Sequence, residues 1–165
     1  MKTRRLDNYG KINRDKILSF SWDKKNYKGF EGDTLASALL ANNIGIVGRS
    51  FKYHRPRGIF SSGVEESGAL VTIGSKDRRD PNVRATTQEL YNGLEASGQN
   101  AFPNVNFDLA GINNYLGRFF AAGFYYKTFM GIPPFEWGRG TAIWMFFEKF
   151  IRKAAGMGSA SGLPD

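Results

Sequence analysis

Gly48-Arg49-Ser50-Phe51-Lys52-Tyr53-His54-Arg55-Pro56-Arg57-Gly58-Ile59-Phe60 decides the fold, together with the segment it enters, Ser61-Ser62-Gly63-Val64-Glu65-Glu66-Ser67-Gly68-Ala69, and the apolar stretch Leu70-Val71-Thr72-Ile73. Cationic groups and aromatics alternate between glycines, the pattern of a loop whose backbone turns tightly while its side chains meet something anionic. The β-rich run that follows predicts a strand, ending at Gly74.

Outward from this loop the elements read clearly. Upstream, Leu18, Phe20 and Trp22 alternate with polar residues, the period of a half-buried strand. Asp23-Lys24-Lys25-Asn26 interrupts it, and Tyr27-Lys28-Gly29-Phe30 resumes as the second arm of a hairpin. Asp33 or Thr34 then offers an N-cap for a helix to about Asn42, with Leu35, Ala38 and Leu39 on its buried face. Downstream, Val83-Arg84-Ala85-Thr86-Thr87 supplies a last strand beyond the Asp80-Pro81 break, and residues 90–98 read as a polar connection anchored by Tyr91 and Leu94. A hairpin, a packed helix, a loop and a strand is the order of a β-grasp, an α+β fold in which one helix lies across a small mixed sheet.

The motif Gly48-Arg49-Ser50-Phe51-Lys52-Tyr53-His54-Arg55-Pro56-Arg57-Gly58 resembles the N-terminal, ferredoxin-like domain of the alpha subunit of heterotetrameric sarcosine oxidase; similar segments occur in related subunits of amine, opine and cyanide-forming dehydrogenases. Gly32-Asp33-Thr34-Leu35-Ala36-Ser37-Ala38-Leu39-Leu40, Phe107-Asp108, Ala122-Gly123-Phe124-Tyr125-Tyr126-Lys127-Thr128-Phe129-Met130 and Ile151-Arg152-Lys153-Ala154-Ala155-Gly156 resemble the same subunit. In the iron–sulfur relatives the motif leads into C-x4-C-x2-C, which ligates a [2Fe–2S] cluster. Those positions fall here on Ser61, Glu66 and Ala69, and the chain has no cysteine. A hydroxyl, a carboxylate and a methyl group do not replace soft thiolates, so the scaffold is expected without a metal.

The resemblance implies a longer alpha subunit that joins beta, gamma and delta subunits. Such an assembly oxidises sarcosine to glycine, passes the one-carbon unit to tetrahydrofolate and gives hydrogen peroxide, with FAD, covalently attached FMN, NAD and zinc in the whole. This chain would then be a docking and shaping module, inactive alone, leading into a dinucleotide-binding domain. Arg49, Lys52, His54, Arg55 and Arg57 are the candidates to hold a cofactor phosphate, because guanidinium offers planar paired donors and ammonium a point charge. The competing reading pairs them with acids of an adjacent domain or subunit. No residue is assigned a catalytic role: His54, the single histidine, reads as a neutral hydrogen-bonding group beside Arg55. Glu65 and Glu66 read as solvated or paired with Arg55 or Arg57. The glycines of residues 156–162 follow no strand and form no nucleotide cradle.

The organisation expected is a β-grasp over residues 1–100, an aromatic-rich docking segment over 101–155, and a linker over 156–165. The second part is dense in rings, from Phe102 and Phe107 through Tyr115 to Trp137, with a short helix near residues 109–120. It closes with a helix over 141–155 that carries Ile143, Phe146, Phe147, Phe150, Ile151 and Ala154 on one face. That face suits either the core or a partner.

Composition bounds the rest. The chain has 165 residues, 41% of them apolar and 15% aromatic, enough for a core. Its net charge of +8 is scattered along the chain and interleaved with acids, which argues against nucleic acid or membrane as partner. The basic N-terminus has no apolar stretch behind it and is no secretory signal. The longest apolar run, residues 142–147, falls far short of the ~20 residues a membrane helix needs, and the absence of cysteine suits a cytoplasmic protein. Two rivals remain at this level: a subunit of a related amine or opine dehydrogenase, and a free-standing basic β-grasp module that binds nucleic acid or protein.

Overall fold

The computed structural model describes residues 4–76, 78–119 and 140–157. Strand β1 (Asn13–Trp22) turns Leu18, Phe20 and Trp22 into the core and pairs antiparallel with β2 (Lys25–Glu31). The two-residue connection, Asp23-Lys24, has positive φ at both positions, which matches the right-handed twist of a tight hairpin. Helix α1 (Leu35–Ala41) starts where Thr34 accepts a hydrogen bond from the Ser37 N–H, and it buries Leu35, Ala36, Ala38 and Leu39.

Asp33, one residue before this cap, anchors the N-terminal segment. Its fully buried carboxylate receives both Arg5 guanidinium nitrogens at 2.9 and 2.7 Å, the Phe30 N–H at 2.9 Å and the Ser37 hydroxyl at 2.6 Å. The paired geometry is the strong form of an ion pair, and the guanidinium also stacks on the Phe30 ring.

The basic loop contains a two-stranded ladder, β3 (Gly48–Arg49) with β4 (Pro56–Arg57). Beyond it run β5 (Leu70–Ser75), β6 (Arg78–Arg84) and β7 (Leu94–Gly98). The main sheet has the order β2-β1-β7-β5-β6, with β7 parallel to β1 and antiparallel to β5. A mixed sheet with α1 packed into one core beside it is a β-grasp, as the order of elements in the sequence predicts.

Two strands differ from the sequence reading. The last one spans Arg78–Arg84 instead of residues 83–87, and it runs through Asp80-Pro81. Proline is tolerated there because β6 is the sheet edge, where a missing N–H costs no ladder bond on the outer side. Residues 90–98 are not a mere connection. They contain β7, the central strand, whose Leu94 and Ala96 are buried between exposed neighbours. Two apolar residues in a run of Glu, Ser and Gly are too few to reveal a strand by period; its neighbours on both sides make it one.

Residues Leu109–Phe119 form 3-10 turns where a short helix is predicted. Helix α2 (Gly140–Ala154) ends on Gly156 at φ +73°, with Gly156 N–H bonded to Lys153 O and Met157 N–H to Arg152 O, a left-handed cap that glycine adopts without strain. Its C-terminal end meets the β6 edge, where Asn82 donates to Ala155 O at 3.4 Å. On its apolar face Phe146 and Phe150 are 61% and 59% exposed. The resembling segment at residues 122–130 lies outside the described residues.

Candidate functional site

The basic loop is ordered from within by a buried carboxylate that the sequence reading does not place there. Asp108 sits at the start of the 3-10 turns, where its Oδ1 accepts the Ala110 and Phe102 N–H groups at 3.2 and 3.0 Å. Its Oδ2 lies 2.8 Å from Nδ1 of His54 and 3.8 Å from Nε of Arg49. An ionised carboxylate only accepts, so Nδ1 of His54 carries the proton. Burial pushes the Asp108 carboxyl up, but the Phe102 N–H, the His54 hydrogen bond and charge, and the Ala110 N–H together outweigh it and hold the group below its ordinary value.

Arg49 completes this knot. It donates from Nε to Val105 O at 2.9 Å and from a terminal nitrogen to His54 O at 3.0 Å. His54 itself stands at φ +54°, a left-handed conformation that costs a non-glycine residue free energy and persists where its surroundings over-determine it. The over-determination is visible: the His54 N–H bonds to Ser50 O, the Ser50 N–H to Arg55 O, and the side chain to Asp108.

The outer members of the loop are arranged differently. Arg55 donates to Asn114 at 2.9 Å and stacks over the Tyr53 ring, with Lys52 also 4.8 Å from that ring. Arg57 is exposed on β4. A cleft of about 490 Å³ lies beside it, lined by Arg49, Arg57, Gly68, Asn82, Gln99 and Met157 among others. The five predicted residues therefore divide: Arg49 and His54 face inward to Asp108, while Lys52, Arg55 and Arg57 lie at or near the surface.

The second half of the loop closes around Glu66. Far from being solvated or paired with Arg55 or Arg57, Glu66 is 1% exposed, and its carboxylate accepts four backbone N–H groups. Phe60 and Ser61 donate to Oε2 at 2.6 and 2.7 Å, Gly68 and Ala69 to Oε1 at 2.5 and 3.2 Å. Burial raises the Glu66 carboxyl, and the four amides overcome this to leave it below its ordinary value. Gly68 allows the closure: a Cβ there would stand 2.9 Å from Gly58 O. The buried Thr86 hydroxyl ties down the far side by donating to Gly63 O at 2.6 Å. Glu65, next in sequence, is exposed. At the surface of this loop Phe60 and Val64 are 86% and 70% exposed.

Residues 15–101 match the model of the 2Fe-2S iron-sulfur cluster binding domain. The chain belongs to this family. It is also homologous to sarcosine oxidase alpha subunits: the protein of Rhizobium meliloti is 52% identical over 161 residues, which is 98% of this chain and 16% of that one. A Corynebacterium sp. sarcosine oxidase subunit alpha is 46% identical over 90 residues, 53% of this chain and 9% of its own. The chain thus spans less than a fifth of the length of these relatives. Among solved structures, the crystal structure of L-proline dehydrogenase from P. horikoshii matches 56% of this chain and 17% of its own, with a TM-score of 0.44 and 24% identity.

The family implies an iron–sulfur cluster, and the residues present do not fit one. Such a cluster needs four thiolate or comparable soft ligands, and there is no cysteine anywhere in the sequence. Ser61, Glu66 and Ala69 do lie around one loop, as the resemblance implies, but its amides point at a carboxylate. Among the described residues, no group of three or more His, Asp or Glu side chains is placed to hold a metal ion. This member of the family is a cluster-less variant.

Proposed function

We propose that the chain is the N-terminal module of a sarcosine-oxidase-type alpha subunit, with a structural and docking role in oxidative demethylation of sarcosine to glycine, one-carbon transfer to tetrahydrofolate and hydrogen peroxide formation. The observation that carries this is the 52% identity to such a subunit across 98% of the chain. Flavin-dependent amine oxidation is done largely by the cofactor, with protein domains supplying orientation and electrostatics. On this reading FAD, FMN, NAD and zinc belong to the assembly, and the beta, gamma and delta subunits and a dinucleotide-binding domain are the neighbours.

Within the module, Lys52, Arg55 and Arg57 form the face that meets an anionic group of a neighbour, either a cofactor phosphate or carboxylates. Arg49 and His54 act one layer below, holding that face in place through Asp108. The aromatic residues of 101–155 dock against the same neighbours, in keeping with the exposure of Phe102, Phe107, Tyr115, Phe146 and Phe150.

The assembled enzyme containing this chain is expected to form hydrogen peroxide on sarcosine, whereas the purified 165-residue chain does neither this nor binds iron and sulfide. Stoichiometric iron and sulfide on the chain would refute the structural role. An assembly inert towards sarcosine but active on another secondary amine would move the protein to the related dehydrogenases.

A further inference from the structure

We propose that the Glu66 carboxylate does the structural work of the missing cluster: it is a built-in anion, set at one of the three former ligand positions, that organises the loop of residues 58–69 from its centre. The loop of an iron–sulfur protein aims backbone N–H groups at the sulfurs it encloses, and those hydrogen bonds help set the cluster's properties. Deleting the cluster alone would leave inward-facing donors without acceptors, and each buried orphan is costly.

The geometry meets that need atom by atom. Each oxygen of Glu66 takes two amides, one pair from each side of the loop: Phe60 and Ser61 on Oε2, Gly68 and Ala69 on Oε1. A single side chain therefore bridges the segment that follows β4 and the residues entering β5. The amides of Phe60, Ser61, Gly68 and Ala69 hold the charge, as in an anion-binding nest. Ser61 and Ala69, at the other two former ligand positions, meet Glu66 through their backbone amides, and the Ala69 methyl is buried in the core. The middle position alone carries a side chain that is acidic and long enough to reach both sides.

The inference concerns this chain's own residues and stands whether or not the assembly oxidises sarcosine. It is tested by amide hydrogen exchange on the purified chain, comparing the wild type with Glu66→Gln and Glu66→Ala. Glu66→Ala is expected to speed exchange of the Phe60, Ser61, Gly68 and Ala69 amides at least tenfold, with the β1 and β7 amides unchanged. Glu66→Gln keeps the length but offers one oxygen in place of two. It should release one pair of amides and leave the other protected, a split that a merely space-filling side chain would not produce. Should Glu66→Ala fail to fold, the Glu66→Gln split decides alone. Unchanged protection at all four amides in Glu66→Gln, or equal loss at all four, would overturn the proposal.

Discussion

Replacing Asp108 tests whether the basic loop is held from beneath. Asp108→Ala removes the acceptor of three donors, His54 Nδ1 at 2.8 Å, Phe102 N–H at 3.0 Å and Ala110 N–H at 3.2 Å, and also the anion 3.8 Å from Arg49 Nε. Hydrogen bonds to a charged group contribute roughly 1.5–3 kcal/mol each, a gross of about 4–9 kcal/mol. Two deductions apply. Phe102 is exposed, so its N–H regains water, and Arg49 Nε retains Val105 O. A net loss of about 3–4 kcal/mol is expected, in the range for breaking one side of a buried charged network. Asp108→Asn keeps Oδ1 for both amides but sets an NH2 donor where Oδ2 accepted from His54 Nδ1 and removes the charge beside Arg49, so about 2 kcal/mol is expected. The assay is urea denaturation followed by tryptophan fluorescence at constant slope. The sign with pH is also fixed: a carboxyl lowered in the folded state stabilises above its ordinary value of 3.8 and loses that contribution as pH falls through its depressed value. The gap between wild type and Asp108→Ala is therefore full at pH 7 and closes in acid. Equal midpoints for Asp108→Ala and the wild type at pH 7, or a gap that widens in acid, would refute the reasoning.

Leu94→Ala should cost about 2–5 kcal/mol, because Leu94 is wholly buried in the central strand and its truncation leaves a cavity; a lowered Tm on thermal unfolding, with the loss confirmed by urea denaturation, checks it. Arg5→Ala leaves the fully buried Asp33 charge with only the Phe30 N–H and the Ser37 hydroxyl, and about 3 kcal/mol is expected, with strong coupling to Asp33→Ala in a double-mutant cycle. Additive effects of those two substitutions would show that the pair is not a unit.

The elements with a clean period were legible in the sequence and those defined by their neighbours were not. Leu18, Phe20 and Trp22 announce β1 by alternation, and Thr34 announces the start of α1 by capping. β7 has only Leu94 and Ala96 to mark it, and its central place comes from the flanking strands β1 and β5, which no local pattern reveals. The position of Pro81 suggested a break because a proline ends most strands, yet on an edge it does not. At the site, the resemblance pointed to Ser61, Glu66 and Ala69 as the loop that matters, but not to Glu66 as its acceptor. Glu66 in a run of Ser, Gly and Glu looks like any solvated acid until the folded loop turns four amides towards it. Asp108, 54 residues from His54, carried one local signal, an acidic residue capping the turns that follow it; nothing local tied it to His54.

The two carboxylates together explain how residues 48–69 keep one shape with so little regular structure. That stretch holds a two-residue ladder and a single 3-10 turn, Gly63–Glu65, so several of its backbone N–H groups bond to side-chain acceptors instead. Asp108 gathers the first half through His54 and Arg49, and Glu66 gathers the second through four amides. Both anions are buried and held ionised, Glu66 by four backbone amides and Asp108 by two amides together with His54 and Arg49. In the proposed docking role, the buried carboxylates set the backbone beneath a basic surface that meets a negatively charged neighbour.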